Sequence, residues 1–345
     1  MLNKLLIFMA LLVLLFVGAG LTVLPKQVHV ERSIAVSMPA STVFTLLNGF
    51  TSFTAWSPWV IKDPAAVYTL SGPESGVGAK LAWSGNHLVG EGSQEITAGE
   101  PYSHVEIRLD FIEQGYAEIG YKISPSGDDV LLTWTYDTDV TRGQNLYDAL
   151  ISRYVGIMFD RWIGRDFEEG LENFKIFAER LPKADFSGLD AEVIEVAAWD
   201  ILYVTSHAEQ NPDSIALALA AAFGQIGVFM HDNDLYPMAE PLAITRFSEN
   251  GYSFDAAVPV SLPAGVKLTG DVEIGRSPEG FAVKTVHRGS YLEMSELYEK
   301  LGAYMAAHGY AQGNVSWEHY ITPPTETDQD QQVTHIYYLI NPPNP

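Results

Sequence analysis

The sequence contains no cysteine, which removes several classes of site at once. Without thiols the chain can form no disulfide, thiolate zinc site, cysteine nucleophile or lipidated-cysteine anchor. Basic residues are also few, because 20 Lys and Arg stand against 43 Asp and Glu, for a formal net charge of -23. Such a surface repels phosphate backbones, so we expect no nucleic-acid partner. The same charge favours cationic ligands, although a solvated acidic surface would give the same count.

Sequence motifs for metal, phosphate and nucleophilic chemistry are missing as well. The 9 histidines show no His-x-x-His or His-Glu-x-x-His spacing, and the chain has neither a glycine-rich phosphate loop nor a Gly-x-Ser-x-Gly elbow. We therefore predict no metal site, no cofactor and no catalytic residue. The 345 residues, 47% of them hydrophobic, suffice for two domains that each bury a core.

One long hydrophobic run stands at the amino terminus. Leu5–Leu24 is a run of 20 residues without a charge, preceded by Lys4 and followed by Lys26. A helix of this length can cross a bilayer core, whereas the apolar part of a secretory signal has about 7–15 residues. Residues 1–26 are therefore predicted to be an uncleaved transmembrane anchor, with a cleaved signal peptide as the alternative. Lys4 and the free amine favour a single pass through the inner (cytoplasmic) membrane, with the soluble domains outside.

A first soluble domain is predicted over residues 27–182. A strand and a short helix lead to the turn Trp56-Ser57-Pro58-Trp59, after which six strand-like stretches alternate with turn signals. Consecutive strands with tight turns predict an antiparallel meander. Apolar residues at helical spacing over Leu146–Leu181 then predict a single long helix.

This order of elements, together with the tryptophan turn at residues 56–59, resembles the SRPBCC or START-like superfamily in its polyketide-cyclase-like branch. The resemblance implies a helix-grip fold with a hydrophobic pocket that binds lipids or aromatic compounds and in some members is catalytic. It supplies no shared catalytic residue.

A second domain is predicted over residues 192–341, after a linker at residues 183–191. The chain passes twice through the pattern strand, helix, strand, strand, and the first strands of the two passes are expected at 193–207 and 272–289. Halves joined face to face would leave a concave apolar surface, and an acid at its floor suits a cation. Glu318 is the candidate acid, and Glu240 falls near the matching place in the first half.

The segment His287-Arg288-Gly289-Ser290-Tyr291, the Glu318-x-Tyr320 strand and the proline-containing loop after it are similar to the GyrI-like effector-binding domain. The resemblance implies that Glu318 is a buried acid with aromatic walls that accept planar, often cationic, compounds. The residues that it suggests for these walls are Tyr291, Trp317, Tyr320 and Tyr337, with Trp199 and Phe254 from the first half. The sequence lacks the helix-turn-helix domain to which this family is usually fused, so a regulatory role is not implied.

The predicted fold class is α+β: a helix-grip START-like domain and a duplicated β-α-β-β GyrI-like domain behind one N-terminal transmembrane helix. The predicted function is a membrane-anchored small-molecule-binding protein that senses or sequesters hydrophobic or cationic aromatic compounds. Two alternatives stay open. One is a hydrolase of reactive aromatic small molecules, with Glu318 and a nearby tyrosine as an acid–base pair. The other is a non-catalytic structural or partner-binding module.

Overall fold

The computed structural model describes residues 2–111, 115–127, 129–209, 211–246, 252–263, 266–290, 293–322 and 327–341. The chain divides into two compact units, Met1–Asp185 and Phe186–Pro345. Each unit contains one antiparallel sheet and several helices. The predicted α+β fold class is therefore confirmed.

The first unit is built on a seven-stranded sheet. Its strands are β1 (Gln27–Val36), β2 (Val67–Ser71), β3 (Lys80–Ser84), β4 (Glu91–Glu100), β5 (His104–Phe111), β6 (Gly115–Ser126) and β7 (Asp129–Asp139). Its helices are α1 (Leu2–Thr22), α2 (Ala40–Leu47), α3 (Phe53–Trp56), α4 (Pro58–Lys62), α5 (Leu146–Gly156) and α6 (Phe159–Ala178). The sheet order β1-β7-β6-β5-β4-β3-β2 confirms the predicted meander, with β1 added beside β7.

The single helix predicted over Leu146–Leu181 is wrong, because the structure has two helices there. The chain turns at Ile157 and Met158, between α5 and α6. Gly156 ends α5 directly against β1, where an added Cβ would lie 3.0 Å from Cγ2 of Val28. The absence of a side chain at Gly156 lets the end of α5 approach β1 closely, and a helical hydrophobic period cannot reveal such a contact.

The tryptophan turn joins α3 to both the sheet and α6. Trp134 on β7 stacks on Phe167 of α6, with ring centroids 4.0 Å apart and planes inclined by 11°. The Trp56 ring meets Trp134 and Phe174 edge-on, at centroid distances of 5.8 and 5.3 Å. Aromatic pairs in these geometries add about 0.5–1.5 kcal/mol each beyond the burial of their area. The turn is therefore a core element of this unit.

The second unit is built on an eight-stranded sheet. Its strands are β8 (Ala191–Val196), β9 (Asp200–Ala208), β10 (Leu242–Arg246), β11 (Tyr252–Pro259), β12 (Glu273–Arg276), β13 (Gly280–Arg288), β14 (Gln312–Tyr320) and β15 (Val333–Ile340). Its helices are α7 (Pro212–Asp232) and α8 (Met294–Ala307). The strand order is β12-β9-β11-β10-β14-β15-β13-β8.

The long first strand predicted for each half is two strands in the structure. β8 is followed by β9, and β12 by β13, but neither pair is joined in the sheet. Instead β8 pairs with β13 and β12 pairs with β9, so the halves exchange their first strands. The two breaks contact each other: the Trp199 amide donates to Oγ of Ser277 and the Ser277 amide donates to the Trp199 carbonyl, both at 2.9 Å.

The two halves join edge to edge through β10 and β14, and not face to face as expected. Directly paired residues of antiparallel strands point to the same face of a sheet. Ala256 pairs with Ala243, Ala243 with Glu318, and Glu318 with Ile336, so these four side chains share one face. Ala256 belongs to the apolar cluster under α7 and Ile336 to the cluster under α8. Both helices therefore cover the face that carries Glu318.

Two described helices, α1 and α7, are long and apolar enough to cross a membrane. α7 packs Ala222, Ile226 and Phe229 into the core of the second unit, while Leu217 and Val228 on the same helix are exposed. By contrast, α1 is almost entirely exposed. The length and composition of α1 suit either a membrane anchor or a signal sequence.

Candidate ligand-binding site

Glu318 lies in the middle of the eight-stranded sheet, on the face beneath the helices. Its strand, β14, is one of the two central strands, so Glu318 stands where the cluster under α7 meets the cluster under α8. The side chain is half-buried. A carboxyl group in such a place needs hydrogen-bond partners to offset the water that it loses.

Two tyrosines supply those partners. The Tyr320 hydroxyl donates to Oε2 of Glu318 at 2.7 Å, and the Tyr298 hydroxyl donates to Oε1. Tyr320 is two residues further along β14 and thus on the same face. Tyr298 comes from α8, where its ring also meets Tyr338 edge-on at 6.3 Å. Strand and helix thus converge on one carboxyl group.

The α7 side of the site is aromatic too. Phe223 of α7 meets the Tyr320 ring edge-on, with centroids 6.3 Å apart. Phe254, a predicted wall residue, lies on the same face of the sheet but is only 1% exposed and belongs to the packed cluster under α7. Among the described residues, Tyr298 and Tyr320 hydrogen-bond to the carboxyl group, and Phe223 contacts the ring of Tyr320.

Three other predicted wall residues lie on the opposite face of the sheet. Side chains alternate along a strand, so Trp317 points away from Glu318. Trp317 stacks on Tyr337, its partner on β15, with centroids 4.8 Å apart and planes inclined by 2°. Trp199 meets His319 on this same face, at 5.6 Å. The structure does not bring Trp317, Tyr337 and Trp199 to Glu318, and Tyr291 lies outside the described residues.

Tyr298 and Phe223 are the contacts that sequence reasoning missed. A signal for Tyr298 was present: it follows Met294 by four residues and precedes Leu301 by three, and both of these are buried on the inner face of α8. Helical spacing therefore places Tyr298 toward the sheet. Nothing in the sequence pairs that helix position with Glu318, because the contact spans 20 residues of chain.

Glu240 is not placed like Glu318. It precedes β10 and lies on the other face, where its Oε2 is 3.8 Å from Nε2 of His319. His319 is 8% exposed, and its ring lies 6.4 Å from that of His335. Among the described residues, no group of three His, Asp or Glu side chains is arranged to hold a metal ion.

Burial controls the titration of both histidines. Burial lowers the pKa of His319, and Glu240 partly opposes this effect. Burial also lowers the pKa of His335, with the positive charges of Lys284, His319 and Arg288 acting in the same direction. Histidine titrates near pH 6.5 in an unfolded chain, so the unfolded state binds more protons than the folded state below that pH.

The first unit has a groove of its own. It has a volume of about 250 Å³ and lies between the tryptophan turn and α6, where Trp56, Ser57 and Phe177 are among its lining residues. The indole nitrogen of Trp56 and Oγ of Ser57 are buried and make no hydrogen bond within the described part of the chain. The polar side chains of Thr54, Asn173 and Arg180 also line the groove.

We predict that acid destabilises the second unit through these histidines. The stability that they contribute is complete above about pH 6.5 and falls as the pH drops, by at most about 1.4 kcal/mol per pH unit for one histidine. Replacing His319→Phe keeps a ring against Trp199 and removes one titrating group. Urea unfolding of the full chain at several pH values should then show that the free energy of unfolding depends less steeply on pH than in the parent. His231→Asn, at an 89% exposed side chain, is the control and should leave the dependence unchanged; an unaltered slope in His319→Phe contradicts the prediction.

Two known family models match the chain, one in each compact unit. Residues 27–179 match the family model described as polyketide cyclase / dehydrase and lipid transport. Residues 220–340 match the model of the GyrI-like small molecule binding domain. Both resemblances drawn from the sequence are thus confirmed. No curated protein matches the chain.

Several solved structures are similar to parts of the chain. The C-terminal domain of EcmrR is 17% identical, with a TM-score of 0.39, over 45% of this chain and 98% of that one. A hydrolase from Listeria innocua is 14% identical, with a TM-score of 0.33, over 44% of this chain and 92% of its own. The di-domain ARO/CYC StfQ from the steffimycin biosynthetic pathway is 12% identical, with a TM-score of 0.34, over 45% of this chain and 51% of its own.

The two family matches follow one another along the chain, and each falls on a unit with its own antiparallel sheet. Both families are described by the small molecules or lipids that their members handle. The protein therefore carries a domain of the polyketide cyclase / dehydrase and lipid transport family followed by a GyrI-like small molecule binding domain, a combination that supports small-molecule binding.

Proposed function

We propose that this protein is a membrane-anchored binding protein that senses or sequesters hydrophobic or cationic aromatic compounds, with Glu318 as the group that recognises charge. The proposal rests on one observation: both oxygens of a half-buried carboxyl group, on the sheet face that α7 and α8 cover, accept hydrogen bonds from tyrosines. The proposed domains are 27–182 and 192–341, joined by a linker at 183–191. The division of the chain after Asp185 falls inside that linker.

The site suits a flat cation for electrostatic and steric reasons. An ionised carboxylate offers about four lone-pair positions, and the two phenols occupy only part of them. A positively charged ligand can therefore approach the carboxylate while both phenols stay bound to it. Cation–π attraction to the rings of Tyr298 and Tyr320 adds about 0.5–2 kcal/mol for each good contact. Burial against the aromatic side chains favours planar compounds, and a contact of this kind discriminates weakly by shape.

The binding proposal predicts a charge-dependent loss in Glu318→Gln. Glutamine keeps the size of the side chain and removes its negative charge, so a planar cationic dye should bind about tenfold more weakly, equivalent to about 1.4 kcal/mol. Fluorescence titration of the purified full chain measures this change. The matched control is Glu299→Gln, which makes the same change of charge at an exposed position on α8 next to Tyr298.

A neutral dye of similar shape provides the second control. It should bind to the parent and to Glu318→Gln with nearly equal affinity, because its binding depends on the rings alone. Equal binding of the cationic dye to the two proteins would contradict the role of Glu318.

The Tyr298–Glu318 contact keeps the hydrolase alternative open. A phenol hydrogen-bonded to a carboxylate is a proton donor in direct contact with a proton acceptor, which is what an acid–base pair requires. Tyr298→Phe separates the two functions, because it removes the hydroxyl and keeps the ring. If the protein only binds, Tyr298→Phe should retain the affinity for the cationic dye within about threefold, which is less than 1 kcal/mol.

The enzyme alternative makes a different prediction for the same variant. Mass spectrometry of the products measures hydrolysis of a reactive aromatic substrate. This hydrolysis should disappear in both Tyr298→Phe and Glu318→Gln, while Tyr298→Phe still binds the dye. Phe223→Leu is the control, since it alters the aromatic surroundings without touching the pair. Failure of the parent protein to produce any product in such a screen favours the binding function.

For localisation we propose a single-pass protein of the inner membrane, with both soluble domains outside the cytoplasm. The support is the apolar, exposed length of α1 together with Lys4 at its start. α1 also makes specific contacts with α5, which indicates a helix that stays with the protein. The Nη1 atom of Arg153 donates to the carbonyls of Gly20 and Leu21, both at 2.9 Å.

Removal of residues 1–26 should release the protein from membranes while both domains stay folded. Water must then replace the carbonyl partners of Arg153. We therefore expect the free energy of unfolding of the first unit to fall by about 1–3 kcal/mol, with a lower midpoint of thermal unfolding. Membrane fractionation and circular dichroism test the two statements. Retention of the shortened chain in the membrane fraction contradicts anchorage by α1 alone.

A further inference from the structure

The last turns of α1 are held by α5. Nη1 of Arg153 donates to the carbonyl oxygens of Gly20 and Leu21 at 2.9 Å and to that of Leu24 at 3.4 Å. The last carbonyls of a helix have no partner within the helix itself. The buried guanidinium of Arg153 binds two of them, those of Gly20 and Leu21, together with the Leu24 carbonyl just beyond α1, and so fixes the end of α1 against α5.

A second contact extends this one toward the middle of α1. The Tyr154 hydroxyl donates to the Phe16 carbonyl at 2.6 Å, and the two rings stack with centroids 4.1 Å apart and planes inclined by 4°. At Gly20 an added Cβ would lie 2.2 Å from Cδ1 of Leu150, so a larger residue would require the Leu150 side chain to move. The contacts run from Phe16 to the end of α1, a distance of about 9 Å along the helix axis at 1.5 Å per residue.

The surface beside this junction is apolar and exposed. Tyr147 is 72% exposed, Ile151 39% and Val155 41%. These three residues are spaced by four along α5 and so form one stripe, with Tyr154 at its edge in contact with α1. Further exposed apolar side chains lie at the start of α5 and after its end, namely Leu146, Ile157, Met158 and Trp162. Tyr154, whose ring stacks on Phe16 of α1, is the i+3 neighbour of Ile151 on α5, so the stripe adjoins the apolar surface of α1.

The charge of this part of the chain is opposite to that of the whole. Residues 141–165 contain four arginines, at 142, 153, 161 and 165, and two aspartates, at 148 and 160. The whole chain has about twice as many acids as bases, 43 against 20. Arginine, tryptophan and tyrosine next to an apolar stripe are typical of a helix that lies at the interface between water and an anionic bilayer.

We propose that α5, with the turn after it and Trp162, is a second membrane-contacting surface that lies in the headgroup region of an anionic bilayer beside α1. The occupant of the stripe is lipid, because the apolar surface of α1 continues into it and α1 enters the bilayer there. This inference rests on the proposed anchorage of α1. If α1 spans the membrane, its last turns are at the interface, and α5 is bound to those turns.

The arrangement determines how the first unit meets the membrane. A single flexible anchor would leave the unit free to rotate above the bilayer. Arg153 and Tyr154 fix α5 to α1, and the exposed stripe then holds the same helix against the lipid surface. The first unit therefore sits on the bilayer in one orientation.

Fluorescent labels on single cysteines test this surface, because the parent chain has no other cysteine to label. The full chain carries Ile151→Cys or Val155→Cys, each labelled with an environment-sensitive dye, in vesicles of phosphatidylcholine and phosphatidylglycerol. Leu70→Cys on β2, an exposed leucine on the edge strand farthest from β1, is the control. Spin-labelled lipids should quench positions 151 and 155 at least about twofold more than position 70, as expected for a helix at the lipid interface.

A label at Leu12→Cys, in the middle of α1, separates failure of the surface from failure of the anchor. Quenching at 12 with none at 151 and 155 overturns the second surface and leaves the anchor intact. Absence of quenching at all three positions overturns both. Equal quenching at 151 in vesicles of phosphatidylcholine alone overturns the preference for an anionic bilayer.

Discussion

The hydrogen-bonded pair of β10 and β14 is the constraint on which the second unit depends. It joins the two halves into one sheet and brings the clusters under α7 and α8 side by side. Its register also sets Glu318 opposite Ala243, a side chain too small to cover a carboxyl group. Tyr298 and Tyr320 donate hydrogen bonds to Glu318 and so replace those that burial removes.

Local patterns predicted a good part of this architecture. Turn signals predicted the antiparallel meander of the first unit, and the tryptophan turn pointed to the family that the comparison confirms. Glu318 and Tyr320 could be linked from sequence alone, since residues two apart on a strand share a face. The same rule separates Trp317 from Glu318. The sequence prediction grouped the aromatic residues without applying this alternation along the strand. It therefore placed Trp317 and Tyr337 on the same side of the sheet as Glu318, whereas they lie on the opposite side.

The features that escaped prediction all depend on contacts between distant parts of the chain. α5 ends at Gly156 in close contact with β1, and no periodicity within the helix records a neighbour more than a hundred residues away. Tyr298 reaches Glu318 from a different element, and Phe223 reaches Tyr320 from another. The breaks near Trp199 and Ser277 are set by the hydrogen bonds that each makes to the other. Patterns of residue type carry little information about such pairings.

The exchange of β8 and β12 between the halves makes the second unit indivisible. A polypeptide that contained only the first half would lack β12, which pairs with β9 at the edge of the sheet. Its own β8 would have no partner, because β8 pairs with β13 of the second half. Unpaired edges of this kind lead chains to exchange segments with one another or to aggregate. Each half can thus complete its sheet only by pairing with another half, either in the same molecule or in a second molecule. Fusion of two halves into one gene would convert such an assembly of separate chains into a monomeric domain.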